Sequence, residues 1–127
     1  MKLDKKGQSM VETALILPVI ILLFMGMVEF SRIFGSYLLV THASREGARL
    51  AAIGRTDAEV MANITGKVSI LNLSELQITL TPEDDDRTAG DDVRVSVRYK
   101  LDIYAPVISS IVPDPFEMEA NTVMRVE

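Results

Sequence analysis

The sequence has no cysteine and a single histidine, His42. Without cysteine there is no disulfide scaffold, zinc finger or thiol nucleophile, and the redox compartment stays open. One imidazole argues against a histidine-built metal site within a single chain. Basic charge is also scarce, with 13 Lys and Arg against 18 Asp and Glu and a formal net charge of −5. Phosphate contact needs a basic face, so nucleic acid is not an expected partner. No Walker-type or dinucleotide-binding glycine loop occurs, and no GxSxG elbow. The expectation is a protein that is not an enzyme, with no catalytic residue, cofactor or metal.

At 127 residues the chain can form one small domain and one extra element. Its hydrophobic share of 48% is ordinary, but a dense block lies near the N-terminus. Ala14 to Val28 carries no charge. As a helix that run covers about 22 Å, short of a ~30 Å hydrocarbon core. Extending it from Met10 to Phe30 reaches spanning length but takes in Glu12 and Glu29. Glu29 sits at the exit, with Arg32 three residues on as a partner. Glu12 lies near the start, where an ionised carboxylate is costly unless paired.

Three explanations fit this stretch. Lysines before an apolar run match the outline of a cleaved secretory signal, although the small-x-small site that should follow is missing. A plain membrane anchor is the second. Lys2, Lys5 and Lys6 precede the run and only Arg32 follows closely, which keeps the N-terminus cytoplasmic. The third is a leader cut on the cytoplasmic side, leaving the apolar segment as the new N-terminus.

Lys5-Lys6-Gly7 followed by Gln8-Ser9-Met10-Val11-Glu12 resembles a type IV prepilin processing site. Ala43-Ser44-Arg45-Glu46-Gly47-Ala48-Arg49 and the ending from Ala120 to Glu127 are similar to TadE-like pseudopilins of tight-adherence pilus systems. The resemblance implies cleavage after Gly7 by a prepilin peptidase, with Gln8 as the first mature residue and Glu12 in the fifth place. It implies a leader over 1–7 carrying Lys5 and Lys6, a transmembrane and assembly helix over 8–30, and an extracytoplasmic head over 31–127. The implied partners are the prepilin peptidase, other pilins, the inner-membrane assembly platform and membrane lipid. The implied location is the bacterial cytoplasmic membrane, crossed once, and the pilus. Thr13 stands where the family's major pilins carry tyrosine, which favours a minor pilin.

Glu12 keeps two explanations. In the pilin reading it neutralises the new α-amino group of a neighbouring subunit, which fixes register more surely than stability. Alternatively, Ser9-x-x-Glu12 is a capping box at a helix start. Pro18 removes the bond to the Ala14 carbonyl and invites a kink that would suit assembly, or is an ordinary membrane-helix proline.

Beyond the run the pattern stays helical to Gly54, a stop signal. One helix from Ser9 to Ile53 would be roughly 68 Å long. Phe30, Phe34, Tyr37, Leu38 and Thr41 lie along one side of it, leading to Ala48 and Ala52. His42, Arg45, Glu46 and Arg49 fall on another, as a solvated stripe with pairs at His42–Glu46 and Glu46–Arg49, or as a partner contact. Thr56 and Glu59 form a second capping box, opening a short helix. Strict alternation in Leu76–Thr81, Val93–Ile103 and Phe116–Val126 predicts three antiparallel strands with one wet face. The acidic loop Glu83–Asp92 is expected to be a solvated hairpin connection rather than a calcium site, since its spacing departs from an EF-hand. The expected fold is α+β: a long pilin-like helix packed on a small sheet of about three strands, with a short second helix.

Overall fold

The computed structural model describes residues 4–127, so Met1 to Leu3 of the expected leader lie outside the described residues. Helix α1 runs unbroken from Lys5 to Ala52, 48 residues, or about 72 Å at the usual rise. It begins one turn earlier than the serine signal implies. Asp4 takes the N-cap position with no side-chain bond, and the Gln8 amide closes the first turn on the Asp4 carbonyl at 3.0 Å. Ser9 and Glu12 are therefore interior, and the Ser9–Glu12 capping box does not form in the full-length chain. The Ser9 carbonyl instead accepts the Thr13 hydroxyl at 2.9 Å. The helix assignment continues through Pro18.

At its other end α1 closes as the glycine predicts. Gly54 has a φ of 84°, a conformation that costs other residues the clash of a Cβ. Its amide reaches the Ala51 carbonyl at 3.2 Å and the Arg55 amide reaches Leu50 at 3.1 Å, the paired bonds of a Schellman ending. The chain then turns into α2, Asp57–Lys67. Both capping-box bonds are present, Glu59 amide to Thr56 hydroxyl at 3.3 Å and Thr56 amide to Glu59 carboxylate at 3.1 Å.

Strands β1 (Leu76–Thr81), β2 (Asp92–Leu101) and β3 (Phe116–Arg125) form an antiparallel meander in chain order. Ile78 faces Val97, which faces Ala120 on the far side. The period-two pattern holds: Val93, Val95, Val97, Tyr99 and Leu101 are buried, and the residues between them are exposed or half-buried. Their inner face packs on the second half of α1, with Val60 and Ile64 of α2 and Val68 just past its end completing the core.

Of the side of α1 that runs from Phe30 to Ala52, only the far end, at Ala48 and Ala52, turns to this core. Ser36, Val40, Ala43, Ser44, Gly47, Ala48, Ala51 and Ala52 are buried, whereas Phe30, Phe34, Tyr37 and Leu38 stay exposed. Small side chains let sheet and helix approach closely. A Cβ on Gly47 would lie 2.6 Å from Ile64 Cδ1. Ser44 contributes a buried polar pin, its hydroxyl 3.1 Å from the Val95 carbonyl, 3.3 Å from that of Ala120, and 2.9 Å from the Thr122 hydroxyl.

The acidic loop connects antiparallel β1 and β2 and is exposed along most of its length, but it is also tied down at Asp84 and Arg87. Asp84 and Asp57 exchange amide-to-carboxylate bonds at 3.0 and 3.3 Å. The Arg87 side chain is buried. It pairs with Asp57 and donates to the carbonyls of Pro82 and Arg55. Charge-assisted bonds of this kind tie the loop to the start of α2. Among the described residues no group of three or more acidic, histidine or cysteine side chains is placed to hold a metal ion.

Candidate processing segment and membrane exit

The predicted processing residues share the first turns of α1. Lys5, Lys6, Gln8 and Glu12 are exposed and Gly7 is half-buried. Gln8 and Glu12 are four apart, so they lie on one face separated by one turn, about 6 Å. Among the described residues no ion pair involves Glu12. The Gly7–Gln8 peptide lies in a helical first turn, where ends fray readily, and glycine weakens a helix by about 1 kcal/mol relative to alanine. Pro18 sits further along the same helix.

Above this lies the apolar half. It is the one helix among the described residues that is long and apolar enough to cross a membrane, and none of its most apolar 18-residue window is buried within the protein. Large side chains such as Leu15, Leu23, Phe24 and Met27 point outward all round it. A helix that is apolar on every side and uncovered by its own chain is matched to lipid or to other helices.

The run ends in a built junction. Glu29 is 3% exposed, and its carboxylate accepts from Arg32 at 2.7 Å, the predicted pair. Arg32 also lies over the Tyr104 ring, 4.4 Å from its centroid, and its other nitrogen is 3.5 Å from the Asp102 carbonyl. One guanidinium thus neutralises a buried carboxylate and clamps the segment after β2 to α1. The sequence signals Glu29 and Arg32 but not Tyr104, whose approach depends on tertiary folding.

On the charged stripe, Glu46 and Arg49 pair at 2.7 Å. The Arg49 hydrogen bond holds the Glu46 carboxyl below its ordinary range. The other possible pair, His42–Glu46, is not formed among the described residues, and His42 and Arg45 are exposed. On the wet face of the sheet Glu119 is lowered too, first by the Ser96 hydroxyl and then by Asn121, with Arg98 adding to it.

No curated protein and no solved structure matches the chain significantly. A family model described as TadE-like protein matches residues 7–49. That stretch starts at the glycine of the expected cut, crosses the apolar half and the Glu29–Arg32 junction, and ends beyond the Ser44 pin and Gly47. From Gly7 to Arg49, the chain is TadE-like in sequence.

Proposed function

We propose that the chain is a minor pilin, or pseudopilin, of a tight-adherence type IV pilus system. Prepilin peptidase cuts it after Gly7, and it then leaves the cytoplasmic membrane to take part in pilus assembly for surface attachment or secretion. The observation that carries this reading is the Gly7–Gln8–Glu12 spacing at the lysine-bearing end of a helix whose most apolar window is not buried among the described residues. The lysines lie on the cytoplasmic side and the head on the other. Within the filament the apolar half exchanges lipid for the helices of other pilins. The exposed Phe30 and Phe34 rings, stacked at 6.3 Å, extend that surface towards the head. The role is structural, without catalysis or a cofactor.

The cut also gives Glu12 its task. A new amino group at Gln8 meets the Glu12 carboxylate of a parallel neighbour when the two helices are offset by about 6 Å. Such a pair specifies stagger, because desolvation offsets most of its attraction. Glu12→Ala is then expected to leave head stability unchanged and to lower the yield of pili.

The test is the intact mass of membrane-extracted protein co-expressed with the peptidase. Wild type is expected to lose the mass of Met1 to Gly7, and Gly7→Ala to keep full length. One observation favours a second reading, a permanently anchored extracytoplasmic binding domain: Gly7 is helical in the uncut chain. Full-length wild type beside an active peptidase would select that reading and sink the first.

A further inference from the structure

The segment after β2 does more than connect strands. Tyr104 to Val112 projects from the head alongside the apolar half of α1. From Ala105 to Pro113 it carries no charge. Tyr104, Val107 and Ile111 are 72%, 49% and 76% exposed, a high cost for large side chains in water. Ile108 Cδ1 lies 3.8 Å from where a Cβ on Gly26 would stand. Between loop and helix runs an apolar groove of about 670 Å³, bordered by Val19, Leu22 and Phe30 on one side and Val107, Ile108 and Val112 on the other.

The tip of the loop also turns four of its amides inward. The amides of Ser109, Ser110, Ile111 and Val112 all bond to carbonyls within residues 105–108. The Ser109 and Ser110 hydroxyls both donate to the Pro106 carbonyl, at 3.0 and 3.4 Å. Pairing these amides internally lowers the cost of taking the tip out of water. The charges stop at the loop's base. Asp114 accepts the Ile103 amide at 3.1 Å, and Arg32 covers Tyr104. Gly26 is three residues before Glu29, so the tip reaches about 5 Å beyond the charged junction. That matches the depth at which interfacial elements lie.

We propose that Tyr104–Val112 is a second membrane contact, a wedge seated beside α1 in the leaflet on the head's side, with phospholipid acyl chains in its groove. The proposal rests on α1 spanning the membrane. Lipid is the occupant because the groove's helical wall is the same uncovered surface that continues into the span. Tyr104 takes the headgroup level, where an aromatic ring with a polar tip is favoured.

The chain has no tryptophan, so single replacements report depth directly. Val107→Trp, Ile111→Trp, Leu15→Trp in the apolar half and Val123→Trp on the sheet would each be made in the full chain. Each is reconstituted at low protein-to-lipid ratio in phosphatidylcholine vesicles with and without bromine on the upper acyl chain. Tryptophan at 107, 111 and 15 is expected to emit at shorter wavelength than at 123. The brominated vesicles should remove about half of the emission at 107 and 111 and leave 123 unchanged. Loss at 15 without loss at 107 and 111 would overturn the wedge while leaving the span intact. No loss at 15 would remove the span itself and the wedge with it. A blue shift at 107 and 111 that appears only at high protein-to-lipid ratio would assign the groove to a second copy's helix, and overturn the lipid proposal.

Discussion

The two halves of α1 share one backbone and almost nothing else. Up to Phe30 the side chains are mostly large, and among the described residues all but Gly7, Gly26 and Glu29 are exposed. Beyond it the buried positions hold alanine, serine, glycine and one valine. The first half is bulky in every direction because its surroundings are fluid and fit themselves to it. The second half is small along one stripe because its neighbour is a sheet that cannot yield, and interiors pack at crystal-like density. Side-chain size, rather than polarity, marks where the helix passes from one environment to the other.

The comparison can be broken most strongly by removing volume. Ile64→Ala empties the space between α2 and Gly47 and is expected to cost roughly 2–5 kcal/mol of head stability. Leu22→Ala, a similar truncation in the first half, should stay within about 0.5 kcal/mol. Urea unfolding of the detergent-extracted protein, followed by circular dichroism of the head, measures both. Similar losses at the two sites would mean that the apolar half packs on the head after all.

A finer contrast adds a single methyl to each of two glycines. At Gly47 it meets Ile64 Cδ1 at 2.6 Å and Cγ1 at 3.0 Å. Overpacking of about 1–3 kcal/mol outweighs a helix-propensity gain near 1 kcal/mol, so Gly47→Ala is expected to lower the unfolding midpoint. At Gly35 nothing lies within 4 Å. Gly35→Ala should raise the midpoint or leave it unmoved, and opposite signs in one helix are the signature to look for.

The smallest effect is electrostatic and belongs to the head alone. Glu46 and Glu119 are both held below the ordinary carboxylate range when folded. Groups with depressed folded pKa values add stability that is present above their unfolded pKa and lost as pH falls through the folded one. Head stability should therefore decline below about pH 4.5, and less steeply in Glu46→Gln and Glu119→Gln. Both groups are open to solvent, so the change is slight and is read best as a shift in midpoint against pH.

Much of the fold was legible because it rests on local rules. Alternation at Val93, Val95, Val97 and Tyr99 identified a strand with one buried face. Thr56 with Glu59, and Gly54 at φ 84°, bounded the helices for the reasons caps and left-handed glycines always do. The start of α1 was misread, since a serine three residues before a glutamate resembles a cap even where the helix has already begun. The stripe that faces the core was not legible, for a different reason. Hydrophobic periodicity weights large residues, and Phe30, Phe34, Tyr37 and Leu38 drew attention from Ala43, Ser44 and Gly47, whose smallness is their contribution. Arg87 and Tyr104 could not be placed at all, because their partners are distant in sequence. Of the candidate site, the Glu29–Arg32 pair was legible from its spacing, and the loop that covers it was not.

The unbroken course of α1 has a mechanical consequence. Pro18 leaves one carbonyl without its amide partner, so bending there meets the least resistance. From Pro18 to Ala52 the helix is a stiff arm about 50 Å long. A swing of about ten degrees at that joint would carry the far end of the arm sideways by about 9 Å. The head is fastened along the outer part of the arm and must travel with it. A force applied to the head is thus delivered, by leverage, to the few residues around the proline.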